Sequence, residues 1–485
     1  MSELPNNWTT ARLVDLAEDI SYGYTASSTR ERTGPHLLRI TDIQENEVLW
    51  SSVPYCEIDS EQADKYLLKE NDLVFARTGA TVGKSFLIKG EIPDAVFASY
   101  LIRVRCMRPE AAGYLSLYFR SQDYWRQITG FSAGIGQPNV NGSKLKELVI
   151  PLPPLAEQTR IAAKLDELLA QVDTLKARID GIPALLKRFR QSVLASAVSG
   201  KLTEGWRALN PSVSPILPDE LKKAWADAYQ SDGWKYKEAD LLPGSLGYPL
   251  PNSWVEAKVG EVFDVYVGAT PSRASPKFWG EEIPWVSSSE VAFCRIKTTR
   301  ESITEAGYKS ASTTIHPAGT VMLAMIGQGK TRGQPAILDI EACHNQNTAA
   351  LRVHSAYCIS EYLYYYLYER YEETRRVGSG NNQQALNKKT VQSLPFPLPP
   401  RAEQIEIVRR IEQLFAFADQ LEAGIKAAQV RIDLLTQSIL AKAFRGDLVP
   451  QDPNDEPASV LLDRIKAQRA AAPKAKRGRR SATAG

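Results

Sequence analysis

Two glycine-rich segments hold the residues whose types and spacing best suit contact with phosphate or DNA bases. GATVGKS at Gly79–Ser85 follows a strand-like run and resembles a P-loop, but three residues separate its glycines where the phosphate-binding loop needs four. IGQGKTRG at Ile326–Gly333 departs from that pattern in another way. Nucleotide binding is therefore disfavoured, and we interpret both segments as loops whose glycines let the backbone approach DNA while cations contact it. The candidate DNA-binding residues are Arg77, Thr78, Gly79 and Lys84 in the first segment and Gln328, Lys330 and Arg332 in the second.

Two polar segments that match each other add amide side chains to these candidates. GIGQPNVNGSKLKEL at 134–148 aligns with GNNQQALNKKTVQSL at 380–394, so that Gln137 matches Gln383 and Asn141 matches Asn387. Amide side chains can bond two adjacent positions of adenine, which makes all four candidate DNA contacts. Asn and Gln also cap helices and close turns, and this local structural role is the favoured alternative.

Patterns typical of catalysis are incomplete. FSAGIG at 131–136 suggests the glycine loop of an adenosylmethionine site, but no convincing strand precedes it and no NPPY-like tetrapeptide occurs in the chain. Pro218–Asp219 and the later Glu256-Ala257-Lys258 loosely resemble a nuclease pattern, yet the acidic pair lies in a linker. The sequence predicts no catalytic residues and no metal site, and the chain is expected to catalyse nothing by itself.

The elements that would position these loops occur twice. PNNW at 5–8 returns as PNSW at 251–254, and PLPPLAEQ at 151–158 returns as PLPPRAEQ at 397–404. QSVLASAVSGKL at 191–202 returns at the same offset as QSILAKAFRGDL at 437–448, whereas residues 208–246 show no partner in the repeat. A duplicated module with an internal twofold suits a two-sided target, such as two half-sites on a DNA duplex.

Composition narrows the class of protein without identifying a ligand. Hydrophobic residues make up 43% and charged residues 24% of the 485 residues, as in soluble globular proteins, and no signal for secretion or membrane insertion is evident. Five scattered cysteines without a CxxC pair favour a reducing cytoplasm over a zinc site or disulfides. The net charge of +3 does not indicate nucleic acid. The basic run at 474–480 is interpreted as a solvated tail, with nonspecific phosphate contact as the alternative.

Each copy combines a mixed α+β domain with a helical segment. Turn signals, short β-type runs such as Leu73–Ala76 and helical patches such as Tyr362–Tyr368 predict α+β domains that end at proline clusters. The predicted organisation is a first domain at 1–150, a long-helix region at 151–207, a linker at 208–250, a second domain at 251–396, a second long-helix region at 397–465 and a basic disordered tail at 466–485.

Both helical segments repeat apolar residues every 3.5 positions over five heptads. This pattern predicts that the two helices pair as an antiparallel coiled coil related by a pseudo-twofold axis, with only a local kink at Pro183. Packing of each helix on its own domain is the alternative. The predicted pairing residues are Leu165, Leu168, Val172, Leu175 and Ile179 in the first helix and Ile411, Leu414, Leu421, Ile425 and Ile432 in the second.

Several of these segments also carry a family resemblance. PLPPLAEQTRIAAKLDELLAQVD, QSVLASAVSGKLTEGWR and GIGQPNVNGSKLKEL look like the helical regions, and the approaches to them, of the specificity subunit of type I restriction–modification systems. GATPSRASPKFWGEEIPWVSSSEV at 268–291, together with IGQGKTRG, is similar to one of that family's target recognition domains. The resemblance covers nearly the whole chain apart from the linker and the basic tail.

The resemblance implies a non-catalytic subunit of a DNA adenine-N6 methyltransferase and endonuclease complex. Each globular domain would bind one half of a split, asymmetric sequence in double-stranded DNA, and the helices would set the spacer and dock two methyltransferase subunits. Those subunits would carry adenosylmethionine, and two restriction subunits would use ATP and magnesium, so no cofactor is expected on this chain. A self-sufficient enzyme and a coiled-coil adapter without DNA binding are the alternatives from other classes.

Overall fold

The computed structural model describes residues 4–44, 47–79, 81–132, 140–231, 233–327, 330–376 and 386–471. The chain divides into two compact units. One is built from two separate stretches of the chain, and the other is built from its middle part. Unit 1 comprises Met1–Asp180 and Lys426–Gly485, and unit 2 comprises Gly181–Ile425. Each unit therefore contains one globular domain, the first half of the helix that follows it and the second half of the other long helix.

The first globular domain alternates short strands and helices. Its elements are β1 (Thr9–Arg12), α1 (Leu13–Leu16), β2 (Ala17–Tyr22), β3 (His36–Leu38), β4 (Ile43–Gln44), β5 (Glu47–Val48), α2 (Ser60–Tyr66), β6 (Leu73–Ala76), β7 (Ser85–Leu87), β8 (Ala95–Phe97), β9 (Leu101–Cys106), α3 (Ala112–Tyr118), α4 (Gln122–Ser132), α5 (Gly142–Lys146) and β10 (Val149–Leu152). Strands β2, β9, β6 and β7 form an antiparallel sheet in that order, β1 pairs with β10, and β3 pairs with β8 in parallel.

Helices α6 (Leu155–Val198), α7 (Glu204–Leu209) and α8 (Pro218–Ser231) follow, and the second domain repeats the first with additions. Its elements are β11 (Val255–Lys258), α9 (Val259–Val262), β12 (Phe263–Val267), β13 (Trp279–Gly280), β14 (Ile283–Val286), β15 (Cys294–Ile296), β16 (Glu301–Ile303), α10 (Glu305–Ala311), β17 (Val321–Ala324), β18 (Pro335–Leu338), β19 (Cys343–His344), β20 (Thr348–Val353), α11 (Ser360–Glu369), α12 (Tyr371–Arg376), α13 (Lys388–Gln392) and β21 (Pro395–Leu398), followed by α14 (Arg401–Arg445) and α15 (Ala458–Ala471). The central sheet has the order β12-β20-β17-β18-β15, which confirms the α+β class.

The proline clusters begin in the last strand of each domain, where tyrosine hydroxyls bond to the strand carbonyls. Tyr114 and Tyr118 donate from their hydroxyls to the carbonyls of Pro151 and Val149 at 2.7 and 2.9 Å. In the second domain Tyr362 and Tyr366 donate to the carbonyls of Pro397 and Pro395. These hydroxyls satisfy carbonyl oxygens of β10 and β21 that would otherwise be buried without a donor.

A buried tryptophan–glutamate hydrogen bond explains why two distant motifs repeat together. Trp8 Nε1–H donates to Glu157 Oε2 at 3.0 Å, and Trp254 Nε1–H donates to Glu403 Oε2 at 2.8 Å. The tryptophans belong to the repeated PNNW and PNSW segments, and the glutamates begin the two long helices. Each bond thus fixes the start of a domain to the start of its helix.

The two long helices run antiparallel in unit 1. Lys176 Nζ lies 3.6 Å from Asp433 Oδ1. One helical turn further along α6, Asp180 Oδ1 accepts from Gln429 Nε2–H at 2.7 Å. An advance of four residues along α6 is matched by a retreat of four residues along α14. This pattern confirms the predicted antiparallel pairing for this unit.

Unit 2 contains the other halves of the same helices in the same orientation. Arg190 of α6 forms ion pairs with Asp419 and Glu422 of α14, and Val198 near the end of α6 shares a buried cluster with Ile411 near the start of α14. Helix α6 continues through Pro183, so the proline does not end it. Among the described residues, no helix combines the length and apolar composition needed to cross a membrane.

The heptad residues divide into buried and exposed sets. Buried are Leu165, Val172, Ile411 and Ile425; half-buried are Leu168, Ile179, Leu414 and Ile432. Leu175 and Leu421 are 48% and 42% exposed, so the prediction that they lie in the seam is wrong. The apolar stripe is wider than the contact between two helices, and its outer edge faces solvent. Leu165 also packs into the core of the first domain, so the helices contact their own domains as well as each other.

Two shorter helices correct the predicted linker and tail. Helix α8 packs on α9 through buried Leu221 and Trp225, and α15 packs on α1 through buried Leu461 and Ile465. Since α1 and α9 are equivalent in the repeat, the prediction that 208–246 lack a partner is wrong. Residues 466–471, assigned to a disordered tail, belong to α15, and residues 472–485 lie outside the described part of the chain. The second long helix ends at Arg445, within the predicted long-helix region.

The tryptophan anchors should contribute measurably to stability. Replacing Trp8 with Phe keeps the ring in place but leaves Glu157 Oε2 buried without its donor, and we expect unit 1 to lose about 1–3 kcal/mol of unfolding free energy. Trp254→Phe should cost less, because Glu403 keeps an ion pair with Arg207. Hydrogen exchange under native conditions measures each unit separately.

The exposed Trp234 supplies a matched control. Trp234→Phe should change stability by less than about 0.5 kcal/mol in either unit. Equal protection of unit 1 amides in the Trp8→Phe and Trp234→Phe variants would show that the anchor contributes nothing.

Candidate nucleic-acid interface

The two glycine-rich segments form equivalent hairpin loops. Residues 77–84 join β6 to β7, and residues 325–334 join β17 to β18. Gly83 N–H donates to Ala76 O at 2.9 Å and Gly333 N–H donates to Ala324 O at 2.8 Å, with both glycines at positive φ. A P-loop joins a strand to a helix, so a loop between two antiparallel strands contradicts the nucleotide-binding alternative.

The loops present the predicted cations at different positions. Thr78, Gly79, Lys84 and Lys330 are exposed, and Arg77 and Arg332 are half-buried. Counting from Ala76 and Ala324, Arg77 corresponds to the buried Met325, and Lys84 corresponds to Gln334. The two domains therefore offer different chemistry on one backbone framework. Gln328 lies outside the described residues, and DNA contact by the others stays a prediction.

The repeated asparagines cap short helices. Asn141 Oδ1 accepts from Lys144 N–H at 2.9 Å, and Asn387 Oδ1 accepts from Thr390 N–H at 2.9 Å. This is the N-cap arrangement of α5 and α13, and it agrees with the structural role that the sequence favours for these amides. Gln137 and Gln383 lie outside the described residues.

Three loops meet at one edge of each central sheet, and we call these residues the loop edge. It comprises 22–24, 77–79, 81–84 and 98–101 in unit 1, and 267–269, 325–327, 330–334 and 345–348 in unit 2. Arg77 N–H donates to Tyr100 O at 3.0 Å, as Met325 N–H donates to Asn347 O at 2.9 Å. These equivalent hydrogen bonds hold the hairpin loop beside the turn that precedes β9 or β20.

A glycine after the first sheet strand completes the loop edge. A Cβ on Gly23 would lie 2.2 Å from the Phe97 carbonyl oxygen, and one on Gly268 would lie 2.0 Å from that of His344. Only glycine allows the backbone to pass this close, so the turn is fixed identically in both domains.

The side chains displayed on this shared framework differ. Tyr22 and Tyr100 are 42% and 64% exposed in unit 1, whereas Val267 and Ile326 are exposed in unit 2. Sequence reasoning missed the tyrosines and the valine, because the backbone hydrogen bonds that hold the neighbouring turns beside the glycine-rich loops join residues far apart in the sequence. Aligning the repeated glycines Gly23 and Gly268 is the signal that points to this turn.

Two tryptophan rings support the segment that follows Gly268 and leaves the loop edge of unit 2. The Arg273 guanidinium lies 3.9 Å from the Trp279 ring centroid and pairs with Glu301. Trp285 Nε1–H donates to Ala269 O at 3.1 Å. Because rings and an ion pair hold both sides, the GATPSRAS segment leaves the sheet in a defined direction.

A buried chain of hydrogen bonds lies beneath the same edge in unit 2. Arg352 Nε–H donates to His316 Nδ1 at 3.1 Å, and the Nε2 atoms of His316 and His344 are 3.2 Å apart. Arginine only donates, so His316 is protonated at Nε2 and donates to His344, whose Nδ1–H then faces Thr348 Oγ1 at 2.7 Å. Both imidazoles are thus neutral. Leu68 and Phe97 occupy the matching buried positions in unit 1.

Comparison with known proteins identifies the architecture. The family model of the type I restriction modification DNA specificity domain matches residues 5–184 and 251–428. The chain belongs to this family. It is 32% identical over 379 residues to the type I restriction enzyme EcoKI specificity subunit of Escherichia coli strain K12, which covers 75% of this chain and 74% of that relative. It is also 32% identical over 400 residues to the StySPI specificity subunit of Salmonella potsdam, covering 78% and 76%.

Solved structures share the fold of this specificity subunit. The HsdS subunit from Thermoanaerobacter tengcongensis matches with a TM-score of 0.57 and 21% identity, over 92% of this chain and 98% of that one. A chain from a structural study of complex assembly and conformational transition in a type I R-M system matches with a TM-score of 0.60 and 21% identity, over 92% and 100%. The specificity subunit therefore recognises DNA sequence, which contradicts the adapter alternative.

The histidine chain makes the stability of unit 2 depend on pH. Burial, reinforced by neighbouring His344 and Arg352, lowers the pKa of His316 to about 2, and burial lowers that of His344 to about 4. The unfolded histidines take up protons near pH 6.5 while the folded ones resist, so stability is lost as pH falls below about 6.5. We expect a loss of about 1 kcal/mol per histidine between pH 7 and 5.5.

The matching pair in unit 1 provides the control for this prediction. The double variant His316→Leu/His344→Phe carries the unit 1 residues and should lose that part of the pH dependence. Hydrogen exchange of unit 2 amides at several pH values measures it. An unchanged pH profile in the double variant would show that other groups cause the dependence.

Proposed function

We propose that this specificity subunit directs a type I restriction–modification complex to a split, asymmetric DNA sequence, with each unit binding one half-site through its loop edge. The observation that carries the proposal is the pair of equivalent loop edges with different exposed side chains. Methylome sequencing of the host with and without the gene tests it. Loss of one bipartite methylated sequence is expected, and an unchanged methylome would contradict the proposal.

Within each loop edge, we assign two kinds of contact. The exposed Lys84 and Lys330 suit phosphate oxygens, which position a protein on the duplex without selecting sequence. Exposed side chains on the rigid turns, such as Tyr100 in unit 1 and Val267 in unit 2, suit the edges of bases. Sequence selection would then depend on the turns more than on the lysines.

We further propose that α6 and α14 determine the number of unread base pairs between the half-sites. Both helices are continuous, at 44 and 45 residues, and they pair antiparallel in each unit. Helices of fixed length suit a spacer of fixed length.

Lengthening both helices tests the spacer proposal. Four residues inserted after Asp180 and four after Ile425 leave the pairs described for each unit intact and add about 6 Å to each helix. At about 3.4 Å per base pair the spacer should grow by one or two base pairs, while the half-sites stay the same. Methylome sequencing reads both quantities.

A matched insertion of seven residues at both points keeps the heptad phase and should add about three base pairs. The chain expressed without a methyltransferase serves as a control and should give no methylated DNA. A functional variant with an unchanged spacer would refute the role of the helices.

We propose that two methyltransferase subunits dock on the exposed apolar edge of the helices. Leu175 and Leu421 occupy the same position of the repeat, and Val430 and Leu434 in unit 1 and Phe417 in unit 2 are also exposed. Exposed apolar patches on a protein surface commonly mark interaction sites. One patch in each unit fits two copies of one partner.

Because the patch occurs once in each unit, the docking proposal predicts how many methyltransferase subunits each variant binds. Leu175→Glu or Leu421→Glu should reduce the complex from two methyltransferase subunits to one, and the double variant should bind none, because an unpaired carboxylate is unfavourable in a desolvated interface. Analytical ultracentrifugation measures the stoichiometry. Ala177→Glu, exposed two residues away on another face of α6, should retain two subunits. A double variant that still binds two subunits would move docking elsewhere.

Catalysis is proposed to reside in partners. We infer that methyltransferase subunits bind adenosylmethionine for adenine-N6 transfer, and that two restriction subunits use ATP and magnesium. The specificity subunit would select the target sequence on DNA and contribute no reacting group.

A further inference from the structure

Arg77 is fixed in position but lacks a partner for its charge. Its N–H donates to Tyr100 O at 3.0 Å and its carbonyl accepts from Val140 N–H at 3.1 Å. Its Nε lies buried without a hydrogen bond, and no described carboxylate forms an ion pair with it. On the adjacent strand the Nε of Arg103 is also buried without a hydrogen bond, but Arg103 and Arg105 each form an ion pair with an aspartate.

The Arg77 side chain is also preorganised. Its guanidinium lies 5.0 Å from the centroid of the Tyr22 ring, and the Tyr22 hydroxyl accepts from Gly142 N–H at 2.9 Å. A guanidinium whose face rests on a ring keeps the N–H groups at its edge available in one plane. No described carboxylate neutralises this half-buried guanidinium, so its terminal N–H groups suit an acceptor that arrives with a ligand.

The acceptor pair that fits a planar guanidinium on DNA is O6 and N7 of guanine. Unit 2 lacks the equivalent feature, because Met325 fills the matching position inside the core and Val267 replaces Tyr22. A guanidinium at this particular position is therefore found in unit 1 and not in unit 2, where Arg332 lies elsewhere on the loop edge. An asymmetric target requires a difference of this kind between the two units.

We propose that Arg77 reads a guanine in the half-site bound by unit 1, with Tyr22 as its positioning residue. The proposal rests on the proposed function and adds the base and the residue that selects it. Guanine recognition uses the Arg77 N–H edge, and the Tyr22 ring fixes the plane of that edge. The half-site bound by unit 2 does not depend on Arg77.

The test uses the full chain in complex with its methyltransferase and the DNA site found by methylome sequencing. Arg77→Ala and Arg77→Lys should relax one guanine position in one half-site and leave the other half-site unchanged. Affinity for the cognate duplex should fall about tenfold to a hundredfold. Retained recognition of the second half-site shows within the same molecule that the variant is folded.

Guanine analogues identify the contacted atoms. With the wild-type complex, 7-deazaguanine at that position removes the N7 acceptor and should weaken binding, whereas inosine keeps O6 and N7 and should bind normally. The Arg77→Ala complex should not distinguish 7-deazaguanine from guanine. Tyr22→Ala should relax the same position, and Tyr22→Phe, which keeps the ring, should restore its selection.

Other outcomes would overturn the assignment. If Arg77→Ala weakens binding to all sequences alike and reduces the salt dependence by about one phosphate contact, Arg77 binds the backbone and does not read guanine. Unchanged half-sites in Arg77→Ala, or a first half-site without guanine, would also refute it. Failure of the proposed function would look different, because the wild-type complex itself would then show no sequence-specific binding.

Discussion

Two buried carboxylates, Glu157 and Glu403, are the constraint on which both units depend. Glu157 accepts from Trp8 at the start of the first domain and from Gln451 beyond the end of α14. Glu403 accepts from Trp254 and from Thr203 beyond the end of α6. Each glutamate thus joins a domain, the helix that follows it and the end of the other long helix. Burial raises the pKa of Glu157, which makes its two donors necessary for a charged side chain at this site.

This arrangement separates the residues that build a unit from those that can specify DNA. The position of the sheet is fixed by the tryptophan–glutamate bonds, the tyrosines on the proline strands and the packing of the long helices. The turns of the loop edge are held to that sheet by hydrogen bonds between backbone atoms. Backbone bonds such as that from Arg77 to Tyr100 or from Met325 to Asn347 do not depend on side chains. Side chains at the loop edge can therefore change between the units while the turn keeps its shape.

The repeated motifs made the α+β class and the antiparallel helices predictable, because tryptophan, glutamate and heptad leucines serve the same packing in both copies. The equivalence of helices α8 and α15 escaped notice because they share only an apolar pair four residues apart, at a different offset from the rest of the repeat. Periodicity identified Leu175 and Leu421 as apolar stripe residues, but it does not show which neighbour covers a stripe. The absence of a described ion-pair partner for Arg77 was not predictable from sequence. It depends on the side chains that three distant segments, around Tyr22, Tyr100 and Val140, place near the guanidinium.

The two units differ in how they arrange polar groups at two matching positions near the loop edge. In unit 2 Arg352, His316, His344 and Thr348 satisfy one another, and Met325 closes the core with an apolar side chain. In unit 1 Leu68 and Phe97 keep that part of the core apolar, while Arg77 carries a guanidinium that no described carboxylate pairs with. An internally satisfied network favours a rigid surface that selects by shape and exposed side chains. A guanidinium without a described ion-pair partner instead makes binding energy depend on the ligand's acceptors, since a base without them leaves the donors buried and unpaired. Under the proposed function, one scaffold discriminates two half-sites by two different physical means.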